Sequence, residues 1–185
     1  MKINGFTYYF ALIFLLFFNN FYAQQESKRT NIIFYLSDDQ DLLDYGVYGN
    51  PKVETSNVDL LATQGIKFTN FYTGQAICAP SRSQIFTGMY PVKNGCMANH
   101  IGVKPNIKSI TSLLKESGYE VVLAGKSHVK PNKVFDWTHY FPKVNNRYLP
   151  LEKIDDYLKN VNKPFCLIIA SDLSLIHISE PTRPL

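Results

Sequence analysis

Three short apolar runs that each stop at polar residues constrain the fold of this 185-residue chain more than any other feature. They cover residues 32–36, 121–124 and 165–170, the second within a predicted strand over 119–124, and segments with helical patterns separate them. A continuous apolar run followed by a polar cluster is typical of a strand buried on both faces of a parallel sheet. The sequence therefore predicts an α/β fold with a mostly parallel central sheet flanked by helices, and one site where the strands end.

Helix start and stop signals divide the segments between these strands. We predict helices from Ser56 or Asn57 up to Gly65, from Pro80 up to Gly88, from Ser109 or Thr111 up to Gly118, and over residues 151–160. Residues 66–71 alternate between apolar and polar side chains, which predicts a further strand.

Both ends of the chain differ from the middle in composition and in residue pattern. Residues 1–23 combine Lys2, an apolar run over Phe10–Phe18 and a small residue at Ala23, as a signal peptide does. A membrane anchor is the alternative, but the run is short for a bilayer, so we predict a secreted or periplasmic protein without a stable membrane span. Residues 174–185 match neither a helix nor a cap and are predicted to be a non-native tail, which leaves 24–173 as one domain-forming part of a longer natural protein.

Charge and cysteine content narrow the classes of function. The net charge is +4 and the basic residues are scattered, so the sequence does not predict nucleic-acid binding. Export permits disulfides, yet three cysteines leave at least one unpaired. Cys96 and Cys166 either pair with each other or stay buried as small apolar residues, and the sequence leaves both alternatives open.

Asp38 and Asp39 directly follow the first predicted strand. Adjacent carboxylates on a surface turn are usually solvated. At the end of a buried strand, however, they offer the oxygen ligands and negative charge that Ca²⁺ prefers, with Mg²⁺ as the second choice.

Cys78 lies at a predicted helix start, and Arg82 follows one turn later. A helix N-terminus favours an anion and makes a thiolate more reactive, and an arginine binds oxyanions through its fork of donors. The pattern predicts a nucleophile beside a tetrahedral anion, although a buried thiol or half of a disulfide is the simpler reading.

Lys126 and His128 follow the second predicted strand, two residues apart. Their side chains project the same way if the backbone there stays extended. Lysine would supply charge to the anion and histidine a proton near neutral pH, whereas a surface loop histidine is the simpler alternative for His128.

These residues lie in motifs that resemble the type I sulfatases of the alkaline phosphatase superfamily. The string CAPSR at 78–82 resembles the family's C-x-P-S-R signature, and NIIFYLSDDQ resembles its first strand with the metal-binding aspartates. The strings SQIFTGMYPVKNG and AGKSHV resemble, in order, S-L-L-T-G-x-Y-P-x-x-x-G and G-K-W-H-x. The resemblance spans about residues 31–172, and the form GKSHVKP is similar to the heparan N-sulfatase branch.

The resemblance implies an alkaline-phosphatase-like sandwich, of which residues 24–173 are the N-terminal part, and a sulfuric ester hydrolase acting on a sulfated carbohydrate. It implies that a maturation enzyme converts Cys78 to Cα-formylglycine, whose hydrate is both nucleophile and metal ligand. Asp38 and Asp39 would ligate Ca²⁺, Arg82 would steady the nucleophile, and Lys126 and His128 would contact the sulfate and the hydroxyl groups.

Two alternatives remain beside this expectation. Phosphonate monoester and phosphodiester hydrolases share the fold and the C-x-P-S-R signature, and sulfate and phosphate have similar shapes. The resemblance also implies a later Asp-Asn metal pair, a second histidine and a second lysine that this chain does not include. The chain by itself is therefore expected to be an inactive truncated fragment or a non-catalytic glycan-binding one.

Overall fold

A computed structural model describes residues 29–146 and 148–171, and all of its regular elements lie in the unit Asn31–Leu185. The strands are β1 (Ile32–Leu36), β2 (Glu120–Gly125), β3 (His139–Phe141) and β4 (Phe165–Ala170). The α-helices are α1 (Ser56–Gln64), α2 (Cys78–Thr87), α3 (Pro91–Asn94), α4 (Ile110–Glu116) and α5 (Leu151–Asn160), and two 3₁₀ turns cover Leu42–Asp44 and Gly46–Tyr48.

The four strands form one sheet in the order β1-β4-β2-β3, and every pair is parallel. The register pairs Leu36 of β1 with Ala170 of β4, and Ala170 with Gly125 of β2. The neighbouring strands β1, β4 and β2 therefore end at the same level of the sheet. Parallel strands need crossover connections. Helices supply those between β1 and β2 and between β3 and β4, whereas the irregular segment 126–138 connects β2 to β3.

Apolar side chains cover both faces of the central strands β2 and β4. On one face Val121 and Leu123 pack with Ile168 and with Phe86 of α2. On the other face Val122 and Leu167 pack with Ile154 of α5. The prediction of an α/β fold with a parallel sheet between helices is confirmed.

Strand β1 is only half buried, which corrects the prediction that both of its faces are covered. It is an edge strand of this sheet, and Ile33 and Tyr35 are about 60% exposed while Ile32, Phe34 and Leu36 pack against the core. The described residues place no helix over the outward face, so period-two exposure appears in a run that is apolar throughout.

The predicted strand over residues 66–71 is wrong. This segment is irregular, and Ile66 and Phe71 are more than 80% exposed. Its polar groups bind the loop before α1 instead, because Lys67 Nζ donates to Val47 O at 3.1 Å and Tyr48 OH donates to Phe68 O at 3.0 Å. Alternation alone cannot form a strand that has no neighbour to pair with.

The four predicted helices are confirmed, with small shifts at their ends. Helix α2 begins at Cys78, two residues before the predicted start, and ends at Gly88, whose φ of 65° is the left-handed conformation that glycine adopts without strain. The cap of α1 is Thr55 rather than Ser56 or Asn57.

Two predictions fall on residues outside the described ranges. These are the signal peptide over residues 1–23 and the non-native tail over residues 174–185. In the part of the chain that the structure describes, no helix has the length and apolar character needed to cross a bilayer.

Candidate functional site

A buried aspartate at the end of β1 is the centre of the site. Asp38 is 5% exposed, and its carboxylate meets two cations. Arg82 Nη2 lies 3.3 Å from Oδ1, and Lys126 Nζ donates to Oδ2. Because Arg82 is itself 4% exposed, the Asp38 carboxylate supplies the negative charge that a buried guanidinium requires.

Cys78 lies against the same charged groups. Its Sγ is 3.7 Å from Asp38 Oδ1 and 3.8 Å from Lys126 Nζ. Through these contacts the start of α2 and the loop after β2 meet at the end of β1. The predicted convergence of strand ends requires this arrangement. An open cleft of about 280 Å³ reaches Cys78, Asp38 and Arg82 from solvent.

The first turn of α2 does not present the row of free amides that the sequence suggested. Ala79 N–H donates to Asn99 Oδ1 at 3.0 Å, Pro80 has no N–H, and Ser81 N–H donates to Ile77 O at 2.9 Å. Positive charge for an anion therefore comes from side chains. Sequence reasoning missed Asn99, because this residue lies 20 positions from Ala79 along the chain.

Gly125 allows the chain to turn at the end of β2 and deliver Lys126. Its φ is 100°, and a Cβ there would collide with the carbonyl oxygen of Ala170. Lys126 N–H then donates to Ala170 O at 3.0 Å, and Arg82 Nη1 donates to Lys126 O at 3.0 Å. The arginine thus binds the backbone of one site segment and the carboxylate of another.

His128 lies close enough to Lys126, Arg82 and Asp38 for their charges to act on its imidazole, but the backbone geometry predicted for it is wrong. Strand β2 ends at Gly125 and His128 has φ of 54°, so the backbone is not extended between Lys126 and His128. Burial lowers the pKa of the His128 imidazole from 6.5, and the positive charges of Lys126, His100 and Arg82 lower it further, while Asp38 opposes them. The imidazole is consequently neutral near pH 7.

The donor set of Asp38, Asp39 and Cys78 decides which ion fits. One ligand atom from each lies within 4.8 Å of the others. The two carboxylates suit Ca²⁺, whereas a thiol sulfur is a soft ligand that suits it poorly. If Cys78 offered an oxygen in place of sulfur, all three donors would suit a hard cation.

The other two cysteines are unpaired and buried in the core. Cys96 is 1% exposed and Cys166 is fully buried. Burial raises the pKa of the Cys166 thiol to about 11. Of the two alternatives that the sequence left open, the structure supports burial and not a disulfide between Cys96 and Cys166.

Comparisons with known proteins identify the family of the chain. A sulfatase family model matches residues 30–173. The ulvan-active sulfatase of Formosa agariphila is 59% identical over 150 residues, covering 78% of this chain and 30% of that protein. The N-acetylglucosamine-6-O-sulfatase of Bacteroides thetaiotaomicron is 30% identical over 170 residues, with the same two shares. The chain thus spans about a third of the length of these relatives.

Solved structures give the same result for the fold. A complex with D-glucosamine-2-N,6-O-disulfate as its substrate superposes with a TM-score of 0.68 at 26% identity, over 80% of this chain and 35% of that one. The crystal structure of a putative sulfatase from Bacteroides thetaiotaomicron superposes with a TM-score of 0.68 at 27% identity, over 78% of this chain and 36% of that one.

Proposed function

Since the chain belongs to the sulfatase family, we propose that the protein hydrolyses sulfate esters of a carbohydrate and that Cys78, oxidised to Cα-formylglycine, carries the reaction. The observation that supports this most is the contact of Cys78 Sγ with both Asp38 and Lys126, beside buried Arg82. A nucleophile position flanked by two fixed cations suits a group that bears negative oxygens.

Oxidation of Cys78 resolves the mismatch in the donor set. A hydrated aldehyde offers oxygen instead of sulfur, so Asp38, Asp39 and residue 78 would hold Ca²⁺ together. Bound Ca²⁺ would act as a Lewis acid on sulfate and hydroxyl oxygens. The hydrate would provide two hydroxyls on one carbon, one to bond to sulfur and one to release sulfate afterwards. A maturation enzyme has to supply this two-electron oxidation.

The chain's own residues divide the remaining work. Lys126 and Arg82 offset negative charge at the sulfate oxygens, and Asp38 keeps the two cations in place. His128 is neutral near pH 7, because its pKa is lowered, and a neutral imidazole accepts a proton from a hydroxyl group. In the net reaction water supplies the proton that the alcohol gains and the oxygen that sulfate gains.

The relatives' names suggest the substrate class. One acts on ulvan, one on N-acetylglucosamine 6-O-sulfate, and a structural neighbour binds a glucosamine disulfate. We therefore propose a sulfated saccharide as the substrate, with ulvan oligosaccharides as the first to be tested. A polysaccharide substrate such as ulvan would fit the predicted secreted or periplasmic location.

A chimera tests the proposal because the chain covers 30% of its relative. Residues 30–173 replace the matching segment of the ulvan-active sulfatase, and the chimera is produced together with the maturation enzyme. We expect release of inorganic sulfate from ulvan oligosaccharides, and little or none from the 185-residue chain alone. A strong preference for bis(4-nitrophenyl) phosphate over 4-nitrophenyl sulfate would favour the phosphodiesterase alternative and refute the sulfatase assignment.

Two variants of the chimera serve as controls. Cys78→Ala removes the nucleophile and should abolish sulfate release. Cys78→Ser keeps one hydroxyl but lacks the second one needed to expel sulfate, so it should stop after one turnover at most. Repeated turnover by Cys78→Ser would show that the aldehyde is not needed.

A further inference from the structure

The imidazole rings of His100 and His128 meet edge to face, with their centroids 5.5 Å apart and their planes at 64°. We infer that His100 is a positioning residue, which holds the His128 imidazole in the orientation that the site uses. Its purpose rests on the function proposed above, but the contact itself does not.

His128 lacks the hydrogen bond that usually orients a histidine in a site. An imidazole that works through one nitrogen is normally held by a partner on the other nitrogen. The Nδ1 atom of His128 is buried and has no partner among residues 29–146 and 148–171. The packed ring of His100 is then what restricts rotation of His128 about its side-chain bonds.

His100 is able to do this because the loop that carries it, residues 96–101, is fixed at several points. The hydrogen bonds that hold the loop include those from Cys96 Sγ to Ile101 O (3.0 Å), from Gln75 Nε2 to Met97 O (2.8 Å) and from Ala79 N to Asn99 Oδ1 (3.0 Å). The last of these ties the residue before His100 to the first turn of the helix that starts with Cys78. The loop therefore connects helix α2, which begins at Cys78, to the His128 ring.

Both histidines also adopt a backbone conformation that non-glycine residues rarely keep. His100 has φ of 68° and His128 has φ of 54°. Such conformations persist where the surroundings enforce them, and they cluster at functional sites. Two strained residues in direct ring contact indicate that the relative placement of these rings is specified by the fold.

Histidine NMR tests the inference without requiring turnover. The chain has four histidines, so imidazole ¹⁵N signals can be assigned by single variants. His100→Ala removes the ring contact, and His100→Phe keeps an aromatic ring at the same place. His139→Ala is the matched control, because His139 is an exposed histidine that packs on Phe141 instead.

We expect His100→Ala to shift and broaden the His128 signals, His100→Phe to restore a single sharp set, and His139→Ala to leave them unchanged. In the chimera, kcat for sulfate release should fall about tenfold in His100→Ala with KM nearly unchanged, and recover in His100→Phe. The inference is overturned if the His128 signals in His100→Ala match those of the His139→Ala control. It is overturned equally if His100→Phe perturbs them as strongly as His100→Ala.

The proposed function fails separately. If His128 responds to His100→Ala and recovers in His100→Phe while the chimera releases no sulfate from any ester, positioning by His100 stands and the sulfatase assignment is refuted. His100 is exposed, so its removal leaves no cavity in the core, and unchanged His139 signals report that each His100 variant is folded.

Discussion

Replacing Asp38 with asparagine separates the structural role of this residue from its role as a ligand. The Asp38 carboxylate faces Arg82 at 3.3 Å, and both side chains are about 5% exposed. At an effective dielectric constant of about 20, a pair at this distance gains roughly 5 kcal/mol of Coulomb energy. Removing one partner of a buried pair leaves the other charge uncompensated, at a net cost of about 3–5 kcal/mol. Lys126 is partly exposed and regains water, so it adds little.

Asp39→Asn is the matched control. Asp39 is exposed and has φ of 48°, a conformation that asparagine tolerates well, so this change should alter stability by less than about 0.5 kcal/mol. Both variants remove one carboxylate of the proposed Ca²⁺ site. We therefore expect similar losses of Ca²⁺ affinity from the two variants but very different losses of stability.

Urea unfolding in the presence of a chelator measures the difference. With an m-value of about 1–3 kcal/mol/M, Asp38→Asn should lower the unfolding midpoint by at least about 1 M, while Asp39→Asn should leave it nearly unchanged. Equal midpoints for the two variants would refute the reasoning, because they would show that Arg82 does not depend on the Asp38 charge.

Three further predictions concern other parts of the site. In protein made without the maturation enzyme, a thiol reagent should label Cys78 rapidly, while Cys96 and Cys166 react only after unfolding. Rapid labelling of all three cysteines would contradict the burial of Cys96 and Cys166. Asn99→Ala should cost about 1 kcal/mol in urea unfolding through loss of the helix cap, and Asn99→Asp, which keeps the acceptor oxygen, should cost less; equal losses would exclude capping. The pKa of His128 is lower in the folded state than the unfolded value of 6.5, so the unfolded state binds more protons in acid. The free energy of unfolding should therefore fall as the pH drops below about 6.5. His128→Asn should flatten this pH dependence, and an unchanged slope would contradict the prediction.

Sequence patterns predicted the sheet because the signals are local. An apolar run of four to six residues followed by a polar cluster specifies β1, β2 and β4, and glycine at 88 and 118 marks two helix ends. The same patterns placed Asp38 and Lys126 at strand ends, which the parallel register brings to one edge. Burial was harder to predict, because it depends on which elements cover each face of a strand. The outward face of β1 is an example, since it was predicted to be buried and is exposed.

The features that the sequence did not reveal depend on contacts between distant residues. Strand β3 has three residues, too few for a periodic signal, and it is aligned by hydrogen bonds between Thr138 and Val121. Asn99 and His100 carry no motif of their own. Their importance comes from the partners that the fold gives them, the helix of Cys78 and the ring of His128.

The mass of the peptide that contains Cys78 tests the central claim most directly. The protein is produced with and without the maturation enzyme, its free thiols are alkylated after unfolding, and the peptide is analysed by mass spectrometry. With the maturation enzyme we expect an unalkylated peptide about 18 Da lighter than the thiol form, the change for conversion to an aldehyde, which lies off the ordinary cysteine oxidation ladder. A peptide that is fully alkylated at Cys78 in both preparations would contradict the account.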